Sequence, residues 1–324
     1  MTVSLVTGAT GFVGGHLIAR LRREGESVRA AVRSPSDKDR LPEGVWISAV
    51  GDLGPETDWS ESLRNVDVVY HLAARVHQMG KQARTLAAFR SVNVQATKRL
   101  FDQAAEAGVE TFVHVSSIKA VGEGGRRPLT ENDPARPEEP YGVSKREAEM
   151  LLTSSATRAA IRLVILRPPL IYGPGAKGNM SRLMAACDRG WPLPLGSVAA
   201  RRSLIYVGNL VDALYRVANS EKARGTYFVK DLGDPTVAAL CAAIAEALGK
   251  PDRALSVPPS ILRLALFALG KKAESSRLLE SFLISDDKIR GDIHWSPPFD
   301  LTAGLSETAA WFRTMNPKHD PRDG

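Results

Sequence analysis

Short runs rich in β-branched and other apolar residues recur through the first half of the chain, at Val3–Thr7, Ser27–Val32, Val45–Val50, Val66–Leu72, Thr111–Ser116 and Leu163–Arg167. Their length and composition predict strands. Between them the apolar period lengthens to that of a helix, from His16 to Arg23 and from Leu86 to Gly108, the latter stopping at a glycine as a helix C-terminus should. Strands alternating with helices predict parallel strands joined by crossovers, an α/β fold with a doubly wound parallel sheet.

After Pro168-Pro169 the texture changes. Tyr172-Gly173-Pro174-Gly175 and Trp191-Pro192-Leu193-Pro194 are turn-rich, and helices are predicted over Ala238–Leu248, Ile261–Leu269 and Leu301–Phe312. The expected division is residues 1–170 for the sheet domain and 171–324 for a smaller, mainly helical part. Ser203–Val207 and Thr226–Val229 are predicted to return to the sheet, which would give residues 203–232 back to the first domain. There is no internal repeat, and the tail from Asn316 to Gly324 is expected to fray.

Composition narrows the class. The chain of 324 residues is 44% hydrophobic and 24% charged, a globular profile with room for a large core. Two cysteines, Cys187 and Cys241, are too few for a disulfide framework and lack partners at metal-ligand spacing, so no metal is expected and both read as buried small hydrophobes. The formal charge of +7 is spread among acids; the Arg22-Arg23, Arg126-Arg127 and Arg201-Arg202 pairs are the nearest thing to a patch. That pattern suits anionic small ligands at least as well as nucleic acid, which is not an expected partner. The N-terminus carries no signal-peptide pattern and no apolar run reaches spanning length, so a cytoplasmic protein without a membrane partner is expected.

Directly after the first strand stands Gly8-Ala9-Thr10-Gly11-Phe12-Val13-Gly14, followed by a helix. Glycines at this junction let the backbone turn tightly and approach a pyrophosphate, whose charge meets the helix N-terminus. The Gly-x-x-Gly-x-x-Gly spacing departs from the commoner Gly-x-Gly-x-x-Gly, and three glycines can also serve only a tight turn; the strand before and helix after favour the cofactor. At the end of the second strand, where an acid would hold the ribose hydroxyls of NAD, Arg33 stands. A guanidinium pairs with a 2′-phosphate, so NADP(H) is preferred over NAD(H), unless Arg33 is a solvated loop residue. Asp52, in Gly51-Asp52-Leu53, is placed to accept from an adenine amino group, and Ala73 and Ala74 are small where a cofactor would lie against the backbone.

Tyr141 and Lys145 are four apart on a predicted helix and share a face. An ammonium about 4 Å from a phenol, at an effective dielectric of about 20, attracts the phenolate by roughly 4 kcal/mol, which predicts an acidified tyrosine. Tyr-x-x-x-Lys also occurs as a surface pair; its position after a strand ending in Ser116-Ser117 favours catalysis, with Ser117 donating to the reacting oxygen. His71 and His114 read as strand residues satisfied in the core.

These pieces, with Val92-Asn93-Val94, Arg167-Pro168 and Arg202–Val207, resemble the extended short-chain dehydrogenase/reductase family in its NAD-dependent epimerase/dehydratase branch, over nearly the whole chain. The resemblance implies a Rossmann-type NAD(P)-binding fold with a C-terminal substrate-binding part. It implies a cofactor site from Gly8, Thr10, Gly11, Phe12, Val13, Gly14, Arg33, Asp52, Leu53, Ala73, Ala74, Asn93, Lys145 and Pro168. It also implies Ser117, Tyr141 and Lys145 as catalytic, and Ser117, Lys119, Tyr141, Asn179 and Arg202 against a nucleotide-sugar substrate, Arg202 on its phosphate. Val121 stands where the family's Val-Tyr-Gly element has tyrosine, and Ile118-Lys119 replaces the Asp-Glu pair of the 4,6-dehydratases, so water elimination is not expected.

Ser116-Ser117-Ile118-Lys119 with Gly122-Glu123 resembles a bacterial subgroup that includes reductases of UDP-4-keto-6-deoxy-N-acetylglucosamine, and many similar chains are described as UDP-glucose 4-epimerase. Arg33 and Ile118-Lys119 together favour net NADPH-dependent reduction at C4 of a UDP-sugar, in polysaccharide precursor synthesis. The alternatives are a UDP-sugar 4-epimerase that retains NAD, a non-catalytic cofactor-sensing protein, and a hydroxysteroid or flavonoid reductase. Leu86–Gly108 is the candidate surface for a homodimer.

Overall fold

The computed structural model describes residues 1–76, 85–124, 127–270, 275 and 278–316. The expectations for Arg126 and for residues 317–324 of the tail lie outside these. The first half alternates as its pattern predicts: β1 (Val3–Thr7), α1 (Phe12–Arg23), β2 (Ser27–Val32), β3 (Trp46–Ala49), β4 (Val68–His71), α2 (Leu86–Arg90), α3 (Thr97–Glu106), β5 (Thr111–Val115), α4 (Pro140–Ala156) and β6 (Arg162–Arg167). A π-helical turn, Ser91–Ala96, joins α2 to α3. Then follow β7 (Leu170–Tyr172), α5 (Asn179–Asp188), β8 (Leu204–Tyr206), α6 (Val207–Ala218), β9 (Gly225–Phe228), α7 (Val237–Ala247), α8 (Pro259–Ala268), α9 (Asp287–Ile293) and α10 (Leu301–Met315).

Seven strands form one parallel sheet in the order β3-β2-β1-β4-β5-β6-β9. Successive residues of β1 serve opposite faces: Val6 packs with Leu17, Ile18 and Leu21 of α1 and Leu210, Leu214 and Val217 of α6, whereas Leu5 packs with Leu100, Phe101 and Ala104 of α3 and Leu152 of α4. Each such buried side chain contributes about 1.5–3 kcal/mol, and the two apolar layers hold helices on both faces. Strand order reverses between β1 and β4, so a crevice opens at their carboxyl ends, the place where doubly wound sheets take ligands.

Of the two late segments expected to return, only Thr226–Val229 does, as β9 beside β6. Ser203–Val207 corrects the expectation: its β8 pairs with β7 in a separate two-stranded sheet, Leu170↔Leu204 to Tyr172↔Tyr206. The chain leaves β6 through Pro168-Pro169, which sets β7 apart from the main sheet. Buried Asp231, just past β9, binds the two sheets together, accepting from Tyr172 Oη at 2.9 Å, Tyr206 N at 2.9 Å and Asn209 Nδ2 at 2.7 Å. Among the described residues no helix is long and apolar enough to cross a membrane, and no cluster of three or more His, Cys, Asp or Glu could hold a metal.

Candidate active site

The glycine turn caps β1 at the mouth of the crevice. Gly8 has φ 67°, and a Cβ on it would lie 2.9 Å from Ala73 N. A Cβ on Gly14 would lie 2.2 Å from the Gly8 carbonyl oxygen. Side chains are thus excluded where β1, α1 and the Leu72-Ala73-Ala74 segment converge. Gly11 N donates to Gly8 O at 2.9 Å, and no side chain caps α1. A backbone cradle closed to Cβ atoms at an uncapped helix N-terminus fits a dinucleotide pyrophosphate.

Around this cradle the expected cofactor residues fall into two groups. Thr10, Gly11, Phe12, Val13, Ala73 and Ala74 line the junction itself, partly exposed or exposed, with the Phe12 ring edge-on to His16, whose Nε2 reaches Pro174 O at 2.8 Å. Arg33, after β2, and Asp52, after β3, are both highly exposed and lie 3.4 Å apart as an ion pair. Arg40, which sequence reasoning missed, donates to Thr10 O at 3.1 Å from the short 3₁₀ helix Pro35–Arg40. Leu53 is half-buried, packed against the apolar layer that holds Trp59 and Leu63.

Asn93 sits in the π turn, a device frequent at functional sites. It is buried; its Oδ1 accepts from Arg75 N at 2.7 Å, and its Nδ2 donates to Arg75 O and to Ser144 Oγ, each at 3.0 Å. In this arrangement its amide orders the chain beyond Ala74 and braces α4. Buried Pro168 offers its carbonyl to Ile118 N at 3.1 Å and so fixes the loop after β5.

That loop and α4 bring the three expected catalytic residues together. Pro140 starts α4 with its fixed φ, which puts Tyr141 in the first turn. A Cβ on Gly142 would lie 2.3 Å from the Lys119 carbonyl oxygen, so only glycine lets the helix press against the Ser117 segment. Ser117 Oγ accepts from Lys119 N at 3.2 Å, and its hydroxyl acts on the Tyr141 phenol so as to lower its pKa. Phe89 packs edge-on against the Tyr141 ring, 6.2 Å between centroids.

Lys145, one turn along, is 1% exposed, and its Nζ donates to Val115 O at 2.6 Å and lies 3.4 Å from His114 Nε2. The next residue on this face is Glu149, whose carboxylate accepts from Ser116 Oγ at 2.6 Å and from Arg167 Nε at 2.8 Å and Nη2 at 2.6 Å. The four-residue spacing Tyr141, Lys145, Glu149 carries this third member, and reading the helix face one turn further would have found it.

The electrostatics correct one expectation. Burial pushes the Tyr141 hydroxyl up to about 12, against the opposing hydrogen bond from Ser117, rather than down. Burial also brings Lys145 down to about 8, against the favourable charge of Glu149. The reason is that both groups lie out of water, and the ammonium is turned to Val115 and His114 instead of the phenol. The histidines are corrected in part: both are buried, but only His71 has a partner on each ring nitrogen, whereas His114 Nδ1 has none among the described residues.

The expected substrate residues are less gathered. Lys119 Nζ pairs with Glu123, and Glu139 lies 3.9 Å from it. Asn179 is exposed at the first turn of α5. Arg202 lies in the C-terminal part, donating from Nη1 to Arg201 O at 3.0 Å and to Glu280 O.

Known proteins are similar to this chain in sequence and in fold. The chain is 37% identical over 318 residues to a UDP-glucose 4-epimerase of Vibrio cholerae, with 96% of each chain covered. It is 28% identical to the N-acetyl-alpha-D-glucosaminyl-diphospho-ditrans,octacis-undecaprenol 4-epimerase of Escherichia coli O157:H7, over 94% of this chain and 93% of the relative. Among solved structures, MoeE5 in complex with UDP-glucose and NAD superposes with a TM-score of 0.76 at 29% identity, covering 97% of this chain and 99% of MoeE5. The UDP-glucuronic acid 4-epimerase of Bacillus cereus in complex with NAD gives 0.78 at 21% identity, covering 97% and 99%, a likeness of fold. The family model for NAD dependent epimerases and dehydratases matches residues 4–229, from β1 through β9, and the chain belongs to the NAD dependent epimerase/dehydratase family.

Proposed function

We propose that this protein is a nicotinamide-dependent 4-epimerase of a UDP-linked sugar. The observation that carries the reading is the gathering of Ser117, Tyr141 and Lys145 at the carboxyl end of β5, at the same sheet edge as the glycine cradle two strands away. The Vibrio cholerae relative and the MoeE5 structure with UDP-glucose and NAD support the substrate class and the cofactor. Pairing of Arg33 with Asp52 places a carboxylate beside the one guanidinium that argued for a 2′-phosphate, which favours NAD.

The Gly8–Gly14 cradle would hold the cofactor, which when bound would supply hydride transfer to and from C4 of the sugar. Tyr141 takes the proton of the C4 hydroxyl as the keto sugar forms and gives it back when the opposite face is reduced. Ser117 donates to the C4 oxygen and steadies charge there. The Lys145 ammonium, fixed by Val115 O and His114, supplies the positive charge that a tyrosinate needs in so dry a site. Arg202 and Asn179, on the C-terminal part, are the candidates for the nucleotide diphosphate.

Net reduction of a 4-keto sugar by NADPH is the second reading. It rests on Arg33 after β2 and on Arg40, whose guanidinium donates to Thr10 O, and on Ile118-Lys119 following Ser117. The experiment that decides is analysis of the purified protein for retained nucleotide, followed by incubation with UDP-glucose or UDP-N-acetylglucosamine without added cofactor. Retained NAD with formation of the C4 epimer supports the proposal. Absence of epimer, with stoichiometric NADPH consumption on a UDP-4-keto-6-deoxy sugar, overturns it in favour of the reductase.

A further inference from the structure

Under the catalytic lysine lies a pair of imidazoles that the reaction above does not use. His71 ends β4, His114 lies in β5, and the two are register partners. Their rings stack 5.3 Å apart at 27°, both out of water. His71 is anchored at both nitrogens, by Thr7 Oγ1 at 2.7 Å and Thr97 Oγ1 at 2.8 Å, so its ring plane is fixed. Thr7 Oγ1 also accepts from Ala73 N at 3.1 Å, which ties this stack to the glycine turn.

His114 has a different economy of hydrogen bonds. An ammonium has donors only, so at 3.4 Å from Lys145 Nζ the His114 Nε2 accepts. In a neutral ring the proton then sits on Nδ1, the buried atom that has no partner among the described residues. Burial and the nearby Lys145 charge hold both imidazoles below their usual range, His71 at about 3, so neutral rings are the state at ordinary pH. A buried unmet N–H is destabilising, and a phenyl ring of similar shape would be rid of it. The tautomer makes sense if the acceptor on Nε2 is what the position supplies. With Val115 O it takes two of the three N–H donors of Lys145, and tetrahedral geometry then leaves the third a single direction.

We propose that His114, backed by His71, is a positioning residue that acts through Lys145, fixing where the ammonium points its remaining N–H toward a bound dinucleotide and Tyr141. The inference rests on the reading of Lys145 as part of a nicotinamide site. Charged and titratable groups that act with Lys145 are Glu149 from α4, His114 from β5 and His71 from β4.

The test is calorimetric titration of the full-length protein, freed of nucleotide, with NAD across pH 6 to 10, for wild type, His114→Phe and His114→Gln. His114→Phe should bind NAD about tenfold or more weakly, the factor of one hydrogen bond to a charged group. The alkaline loss of binding, set by Lys145, should move to lower pH in His114→Phe. His114→Gln, which keeps a carbonyl acceptor, should return to within about threefold of wild type with its midpoint restored. Wild-type affinity and pH profile in His114→Phe would overturn the inference, as would equal impairment of the two variants, which assigns the effect to packing. Should His114→Phe not fold, His114→Leu takes its place, alone and in a Lys145→Met background: no further loss of affinity from the change in that background supports action through the lysine, and independent losses overturn it. A wild-type protein that binds neither NAD nor NADP sinks the functional reading instead.

Discussion

Glu149→Leu tests whether α4 is held in place by a buried charge cluster. The Glu149 and Arg167 side chains are 2% and 4% exposed and meet through two hydrogen bonds of 2.8 and 2.6 Å. Ser116 Oγ adds a third bond at 2.6 Å, and the Arg167 guanidinium also lies over the Phe228 ring at 5.6 Å. Leucine restores neither charge nor acceptor and strands a guanidinium inside the protein, a loss of about 3–5 kcal/mol. Against a total stability of about 5–15 kcal/mol for an ordinary domain, that is a large fraction. Urea unfolding followed by circular dichroism should show the midpoint fall accordingly. Adding Arg167→Met removes the stranded charge, and most of the loss should be recovered, because a buried ion pair and an apolar pair of similar volume are of comparable stability. A single variant that loses less than about 1 kcal/mol, or a double variant no better than the single one, would refute the reasoning.

Other consequences follow from the same geometry. Gly14→Ala forces a methyl to within 2.2 Å of the Gly8 carbonyl oxygen, so NAD affinity measured by titration should fall by at least about a hundredfold while the apolar layers keep the fold. Tyr141→Phe removes the proton carrier; turnover of a UDP-sugar should fall by about a hundredfold or more with NAD binding retained, and equal turnover would point to a non-catalytic role for this fold. Lys145 has its folded value at about 8 against an ordinary 10.5, so below pH 8 the buried ammonium opposes folding and the penalty lifts as pH rises from 8 to 10.5. Stability of wild type relative to Lys145→Met should therefore rise across that window, by at most about 3 kcal/mol, in urea titrations at fixed pH.

Much of the fold was legible because it rests on local chemistry. Runs of β-branched residues, helical periods and glycine stops are properties of neighbouring positions, and they located the six strands to β6 to within about two residues of their ends. The glycine turn and the Tyr141, Lys145 pair were legible for the same reason: both depend on spacing along one turn or one helix face. What depended on distance through space was not. Ser203–Val207 reads as a strand, but which strand accepts it is decided by the exit of the chain from β6, and it joined β7. The phenol was expected to be acidified because an ammonium stood one turn away; tertiary burial decides the sign, and it pushes Tyr141 up to about 12. Nothing in the local sequence around His114 or Glu149 tells that one accepts from Lys145 and the other is locked to Arg167. A sequence therefore determined the elements and the reactive side chains of this protein, since those follow from short-range sterics and periodicity. Only the tertiary structure decided their partners and their charge, since desolvation and hydrogen bonding are summed over residues brought together from the whole chain.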